Sequence, residues 1–491
     1  YSRANPDARM SDSLARQTSG VPGLDSLLEG GFVSERMYLV LGRPGTGKSI
    51  LGSTFLADGA ARGERSLYIH GEESKKEILQ NASTLGIDLD DVEFLDLGPD
   101  SEFFSEDRTY ELVDPKDVAD EGFIEDIRET VETLDPSRVL VDPISQLRYL
   151  EPTDHQYRRR IVSFMRFLRE RGTTVLATET SGTQDTAALE SLSDGVVELQ
   201  RGDDGRRIAV SKHRGVHAPA GTHGLEIRGD GLEVFPAILP ESGDREFDPA
   251  LLSTGVTNLD ELLGGGLERG TVTILSGPTG IGKSTTAAEL LGSVTEAGTR
   301  GAIYLFEEDE ATFAHRSESF GVPISELRDS GALAVEQIEP LTRSPEEFAQ
   351  EVKRDVEESG VEVVVIDGVS GYKQALHGNR ADTTQKLHAL TRYLKSVDVS
   401  VVLVDELSQV TGLREATGEG ISYLADNLVF MNYVEREGRI ERVVGVLKKR
   451  VGDFEETLRV FEITGDGIQV AGPVEDVHGI LDGAPSVLRD A

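Results

Sequence analysis

One eight-residue phosphate-loop pattern occurs twice in this 491-residue chain, 235 positions apart, and that repetition restricts the fold more than any other feature. The first copy is Gly42-Arg43-Pro44-Gly45-Thr46-Gly47-Lys48-Ser49 and the second Gly277-Pro278-Thr279-Gly280-Ile281-Gly282-Lys283-Ser284. In G-x-x-x-x-G-K-[ST] the glycines let backbone N–H groups wrap phosphate oxygens, the lysine reaches the β/γ oxygens, and the serine hydroxyl ligates Mg²⁺. Each copy lies between an apolar, strand-like run (37–41, 271–275) and a helix-like stretch (50–61, 285–291), the context the motif requires. The expected contacts to a nucleoside triphosphate are therefore Gly42, Gly45, Thr46, Gly47, Lys48 and Ser49, and Gly277, Thr279, Gly280, Ile281, Gly282, Lys283 and Ser284.

The repeat extends well beyond the loops. Residues 18–28 match 253–263, Glu72-Glu73 match Glu307-Glu308, Asp142 matches Asp367, and Lys212 matches Lys448, at offsets between 225 and 236. A period this long is no solenoid, and each copy is large enough to bury its own core. The pattern predicts an N-terminal extension (1–17), a first domain (18–240), a polar linker (241–249), a second domain (250–470) and a tail (471–491). Apolar runs at 66–69, 139–141 and 174–177, and at 302–306, 361–366 and 399–404, alternate with helical patterns. That alternation predicts an α/β fold in each half: a mostly parallel sheet covered by helices, with ligands at the carboxyl ends of the strands.

Phosphoanhydride cleavage needs a cation, a group that orients or deprotonates the nucleophile, and positive charge for the transition state. Asp142 and Asp367 each end a buried strand-like run, the Walker-B arrangement that holds Mg²⁺ in part through water, alongside Ser49 and Ser284. Glu72, Glu73, Glu307 and Glu308 follow strands and are positioned to hold an attacking water; which glutamate of each pair leads is open from sequence. Lys212-His213-Arg214 and Lys448-Lys449-Arg450 form matching basic clusters far in sequence from the loops. Lys212, Arg214, Lys448 and Arg450 suit a finger inserted into a neighbouring subunit's nucleotide, against the plainer reading of a solvated hairpin. His70 and His213 read as ordinary packing or surface histidines, since no metal-ligand spacing accompanies them.

Acidic residues outnumber basic ones 88 to 50, a formal charge of −38, and only twelve of the basic residues are lysines. This predicts a salt-rich cytosol, where the Debye length falls to about 3 Å at molar ionic strength and self-repulsion is screened. An ordinary acidic mesophilic chain is the competing reading, and refolding across salt separates the two. With lysine scarce, its occurrence at 48, 283, 212, 448 and 449 is informative. The chain has no cysteine, which excludes disulfides and Cys-type zinc sites. No 18-residue apolar span or signal peptide is evident, so a soluble, cytoplasmic protein is expected.

Over about residues 18–470 the leaders, paired loops, Glu-Glu pairs, Walker-B aspartates and Lys-x-Arg clusters together resemble the double-domain pattern of the KaiC-like, RecA-related ATPases. The resemblance implies two tandem RecA-like P-loop domains, a two-tiered homo-hexameric ring with ATP and Mg²⁺ at subunit interfaces, slow ATP hydrolysis, and signalling partners. In clock members it also implies autophosphorylation and autodephosphorylation by the second domain. The family's adjacent Ser-Thr phosphorylation pair matches Ser422-Tyr423 here. Ser422 keeps the serine while Tyr423 replaces the threonine, so the resemblance implies a single phosphoacceptor, Ser422. Val451 departs from the family's Lys-x-Arg-Gly, which Gly215 keeps, and residues 479–485 look like the family's C-terminal segment.

Two other functions use the same cradle: a RecA-type DNA-dependent recombinase or helicase, and a scaffold that nucleotide merely assembles. DNA binding calls for a basic stripe and stacking aromatics. A charge of −38 and 6% aromatic residues argue against nucleic acid as a partner. The intact glutamate pairs argue against a purely structural second half.

Overall fold

Every residue of the strand Met37–Gly42 is buried, and its side chains divide between two cores as a strand's period of two demands. Tyr38 and Val40 pack with Leu51, Phe55 and Leu56 of the helix Lys48–Ala61, while Met37, Leu39 and Leu41 join Tyr157, Ile161 and Leu168 of the helix Asp154–Arg169. Each such side chain contributes about 1.5–3 kcal/mol by leaving water. A strand covered on both faces reads as a continuous apolar run, which is how the sequence presents it.

The computed structural model describes residues 14–97, 127–148, 154–182, 186–202, 205–217, 219–238, 250–376, 380–407, 416–417, 420–436, 438–465, 467–474, 477–478 and 486–487. The predicted linker 241–249 and the tail segment 479–485 lie outside the described residues. The chain divides into two compact units, Tyr1–Pro236 and Ala237–Ala491.

Both units carry a nine-stranded sheet with one strand order. In the first it is Glu93–Asp96, Ser66–His70, Arg138–Asp142, Thr174–Thr180, Met37–Gly42, Gly195–Gly202, Gly205–His213, His223–Arg228, Gly231–Phe235. The first six strands run parallel and the last three continue as an antiparallel meander. The second unit repeats this with Leu333–Gln337, Gly301–Leu305, Val363–Asp367, Ser400–Glu406, Val272–Gly277, Asn427–Arg436, Arg439–Lys449, Arg459–Thr464 and Gly467–Pro473. These are two tandem RecA-like α/β domains, as the alternation of strand and helix patterns predicts. The leader turn is duplicated too: Asp25 accepts from the Ser19 N–H and Asp260 from the Thr254 N–H, both at 2.8 Å.

Because the six parallel strands share a direction, their carboxyl ends gather at one edge of each sheet and their amino ends at the other. The phosphate loops follow Gly42 and Gly277 at the carboxyl edge. A six-residue strand separates the two edges by roughly 20 Å. Among the described residues, no helix is long and apolar enough to cross a membrane.

Candidate active sites

The helices Lys48–Ala61 and Lys283–Glu296 start directly from the loops, with Gly47 and Gly282 in left-handed conformation (φ 108° and 117°). A Cβ at either position would be strained and would also meet a core side chain, Ile227 at 2.8 Å or Phe461 at 2.9 Å. Neither helix has a side-chain cap or an acidic residue in its first turn. The unsatisfied N–H groups and positive dipole end therefore face the loop, an arrangement that favours a phosphate. Lys48 donates to the Gly42 and Arg43 carbonyls (2.9 and 3.2 Å), and Lys283 to those of Gly277 and Pro278 (both 2.9 Å). Burial lowers both ammonium pKa values, opposed by carboxylates nearby: Asp142, Glu179 and Glu72 for Lys48, and Glu406, Asp367, Glu307 and Asp405 for Lys283. The loops differ in detail. Thr46 bonds its hydroxyl to the Arg43 carbonyl at 2.9 Å, whereas its counterpart Ile281 is fully buried in the core and offers only backbone, and Thr279 donates to Glu406.

The members of each glutamate pair have different surroundings. Glu308 receives a bidentate pair from Arg316 (2.7 and 3.1 Å), which also donates to Thr285 at 3.1 Å. Glu307 accepts from the Gly371 N–H at 3.3 Å and lies over Gly368, where a Cβ would come within 2.9 Å of it. In the first half Glu73 accepts from Asn81 at 3.1 Å, and Asn81 occupies the position of Arg316, 235 residues away. Glu72 instead contributes charge at Lys48. In both halves the leading glutamate serves the lysine's surroundings and the second is held by the following helix.

Asp142 and Asp367, which end matching strands, also differ. Asp367 is buried and accepts from Ser284 Oγ at 2.9 Å, so hydroxyl and carboxylate stand ready to share a cation. Asp142 accepts instead from Tyr68 Oη at 2.8 Å and from Thr178 Oγ1, while Ser49 is exposed. Among the described residues no cluster of three or more His, Cys, Asp or Glu could hold a metal unaided. A hard cation such as Mg²⁺ fits this donor set, because it commonly takes one carboxylate, waters and substrate phosphates.

Burial lifts the Asp367 carboxyl to about 6. Its folded pKa lies above the unfolded value, so this group's stability contribution is present below about pH 4 and lost as pH rises through about 6. Removing the buried charge by Asp367→Asn should therefore stabilise the metal-free second half at pH 7.5, by on the order of 2 kcal/mol. The same variant should erase the added stabilisation by Mg²⁺ with nucleotide. Calorimetry with and without Mg²⁺ checks both, and a lower melting temperature for the metal-free variant would contradict the first.

The basic clusters lie at the other edge. Lys212 faces Val196 and Lys448 faces Leu428 across antiparallel pairs, Val196 and Leu428 each being the second residue of the strand that flanks the loop strand. Lys212 donates to the carbonyls of Glu190 and Ser193 (both 2.6 Å), and Lys448 to that of Ser422 at 3.1 Å. Burial, then the adjacent arginine, lowers both lysine pKa values. Arg214 and Arg450 are exposed and reach Asp194 and Asp426 at 3.3 and 3.4 Å. Each half thus keeps its Lys-x-Arg pair about a strand's length from its own phosphate loop and does not bring the two together. Ser422 lies at this far edge too, four residues before Asp426.

Lys449 corrects the grouping made from sequence. It is buried in an ion pair with Glu268 at 2.9 Å and is no part of a cationic surface. His213, at the matching place, is buried against the Tyr38 hydroxyl at 3.2 Å, and burial and the nearby Arg16 and Arg36 push its pKa down to about 4. His70 is likewise buried and contacts the Glu73 carbonyl at 2.9 Å.

Sequence reasoning missed the acids that end the strand beside each loop strand. Glu179 pairs in register with Leu41, Asp405 with Ser276 and Glu406 with Gly277. Glu179 is buried, its carboxyl raised chiefly by burial, and its Oε1 accepts from the Thr180 N–H at 2.8 Å. The signal was present as acids closing the runs 174–177 and 399–404, one or two residues past where the apolar pattern stops.

The fold and its paired loops define a tandem RecA-like P-loop ATPase. A family model described as the KaiC ATPase matches residues 17–238 and again 252–475. The chain belongs to the KaiC ATPase family. It is similar to the circadian clock oscillator protein KaiC of Acaryochloris marina, 26% identical over 486 residues that cover 95% of this chain and 90% of the relative. The protein of that name from Thermostichus vulcanus is 25% identical over 500 residues, covering 99% and 94%. Circadian clock oscillator protein KaiC 1 of Synechocystis is 27% identical over 482 residues, covering 95% and 91%.

Proposed function

We propose that this protein is a Mg²⁺-dependent ATPase that works as a homo-hexameric ring, with each ATP bound by the loop of one protomer and completed by the Lys-x-Arg pair of the next. The separation of the two parts carries this reading. Within either half the arginine of the cationic pair lies at the amino edge of the sheet, roughly 20 Å from the phosphate loop at the carboxyl edge, which favours a γ-phosphate bound outside that half. Lys48 and Lys283 hold the β/γ oxygens of the substrate. Asp142 with Ser49, and Asp367 with Ser284, would hold Mg²⁺, which neutralises charge on the phosphates. Glu72 and Glu307 orient and deprotonate the attacking water. Arg214 and Arg450 offset charge that develops in the transition state.

The second half is also a serine autokinase and autophosphatase, and the protein acts with protein partners as a timing or signalling switch, the timing part being what the relatives' names suggest. Ser422 lies on the same edge as Lys448 and Arg450, which favours transfer between copies. Its Oγ attacks the γ-phosphorus, the bond to the β-bridging oxygen breaks, ADP leaves, and the hydroxyl proton passes to a glutamate of the site that holds the ATP. Mass spectrometry after incubation with ATP should find phosphate on Ser422 and lose it in Ser422→Ala; a persistently unmodified peptide would end this part of the proposal. The −38 charge supports a salt-rich cytosol as the working medium. Native mass spectrometry with and without ATP tests the whole reading: nucleotide-dependent rings are expected, and a strictly single-chain species at high salt would refute it.

A further inference from the structure

The cationic pairs are organised around a carboxylate that the reaction itself does not require. Asp194 and Asp426 are buried, 8% and 6% exposed at the side chain, at the amino end of each loop strand. Each accepts the N–H of that strand's first residue: Met37 to Asp194 at 3.3 Å and Val272 to Asp426 at 3.0 Å. Each also binds a cation from the long helix after Walker B, Arg169 at 2.7 Å and Lys395 at 2.5 Å. The free oxygen then faces Arg214 or Arg450, whose side chains are 56% and 53% exposed. In the first half an open cleft of about 530 Å³ is lined by Arg36, Arg169, Asp194 and Arg214.

A helix cation and a strand N–H already partner each carboxylate, so stability needs no third bond. An ion pair to a half-exposed arginine adds little to stability. What it supplies is direction, since a guanidinium on a free side chain spreads over many rotamers. The arrangement recurs although its neighbours differ, Arg169 against Lys395 and His213 against Lys449, so it is not a by-product of one local sequence.

We propose that Asp194 and Asp426 are positioning residues that aim Arg214 and Arg450 at the nucleotide of the adjoining protomer. The proposal rests on the trans-acting arginine reading above. Misplacing a transition-state group by about 1 Å costs up to about 10²-fold in rate. Asp194→Asn keeps an acceptor for the Met37 N–H and removes the charge. Measured in the full chain with the second half silenced by Lys283→Ala, it should lower kcat about 10-fold or more and leave KM for ATP unchanged. The deciding measurement is a double-mutant cycle: in an Arg214→Ala background Asp194→Asn should cost nothing further.

Additive losses, or a fall in kcat of less than about twofold, would overturn the proposal while leaving the trans reading intact. An Arg214→Ala variant with full activity would instead refute the trans reading itself. The Asp426→Asn and Arg450→Ala cycle, read on second-half turnover with Lys48→Ala, repeats the test if Asp194→Asn fails to fold. Loss of the folded oligomer in both halves would show the carboxylates to be structural and would also overturn the proposal.

Discussion

Glu307→Gln should lower ATP turnover by the second half about 10²-fold or more, the usual worth of a positioned general base, and leave ATP affinity nearly unchanged. Glu308→Gln should have a smaller effect on rate and a larger one on stability. The ranking follows from the partners. Glu308 is committed to a bidentate bond with Arg316, an arrangement stronger than neutral hydrogen bonds, and losing it also frees the arginine from its tie to Thr285. Glu307 has one long backbone contact, to Gly371, and its charge acts on Lys283 beside the loop. It can therefore turn to a water without breaking a strong bond. Single-turnover hydrolysis in a Lys48→Ala chain, with binding followed by a fluorescent nucleotide, gives both numbers for each variant. If Glu308→Gln proves the slower enzyme, the assignment is reversed. In the first half the contrast should be milder, because Asn81 holds Glu73 by one neutral donor at 3.1 Å.

Arg450→Ala should slow second-half turnover by about 10³-fold, the lower end of what an arginine supplied in trans contributes. The defect belongs to the neighbour's site, which makes complementation the sharper measurement. A Lys283→Ala protomer lacks a working second loop but keeps Arg450, and an Arg450→Ala protomer keeps its loop but lacks the arginine. Mixed rings contain interfaces where both intact parts meet, so the mixture should hydrolyse ATP faster than either parent. Arg214→Ala with Lys48→Ala should behave alike in the first half. Mixed rings verified by mass that show no gain would mean that the arginine acts within its own chain, across roughly 20 Å of sheet, or not at all.

The duplicated loops, the matching leaders and the buried strands ending in Asp142 and Asp367 were legible in the sequence because each is local. Turn geometry, strand periodicity and the start of a helix are decided within a dozen residues, and a 235-residue offset shows whether a pattern is repeated. The order of nine strands was not local. Glu268 and Lys449 are 181 residues apart, and only the packing of the sheet turns a lysine in a basic run into half of a buried ion pair. Asn81 and Arg316 stood at matching positions, yet nothing in the chain said that they grip Glu73 and Glu308. Asp194 and Asp426 precede strands that pair with the loop strands, so their contact with Arg214 and Arg450 exists only once that register is set. The sequence by itself determined the fold class and the repeat. Tertiary structure alone decided which carboxylate is free, which lysine is exposed and which edge carries the arginines, because side chains meet across a sheet according to strand order and not according to their spacing along the chain.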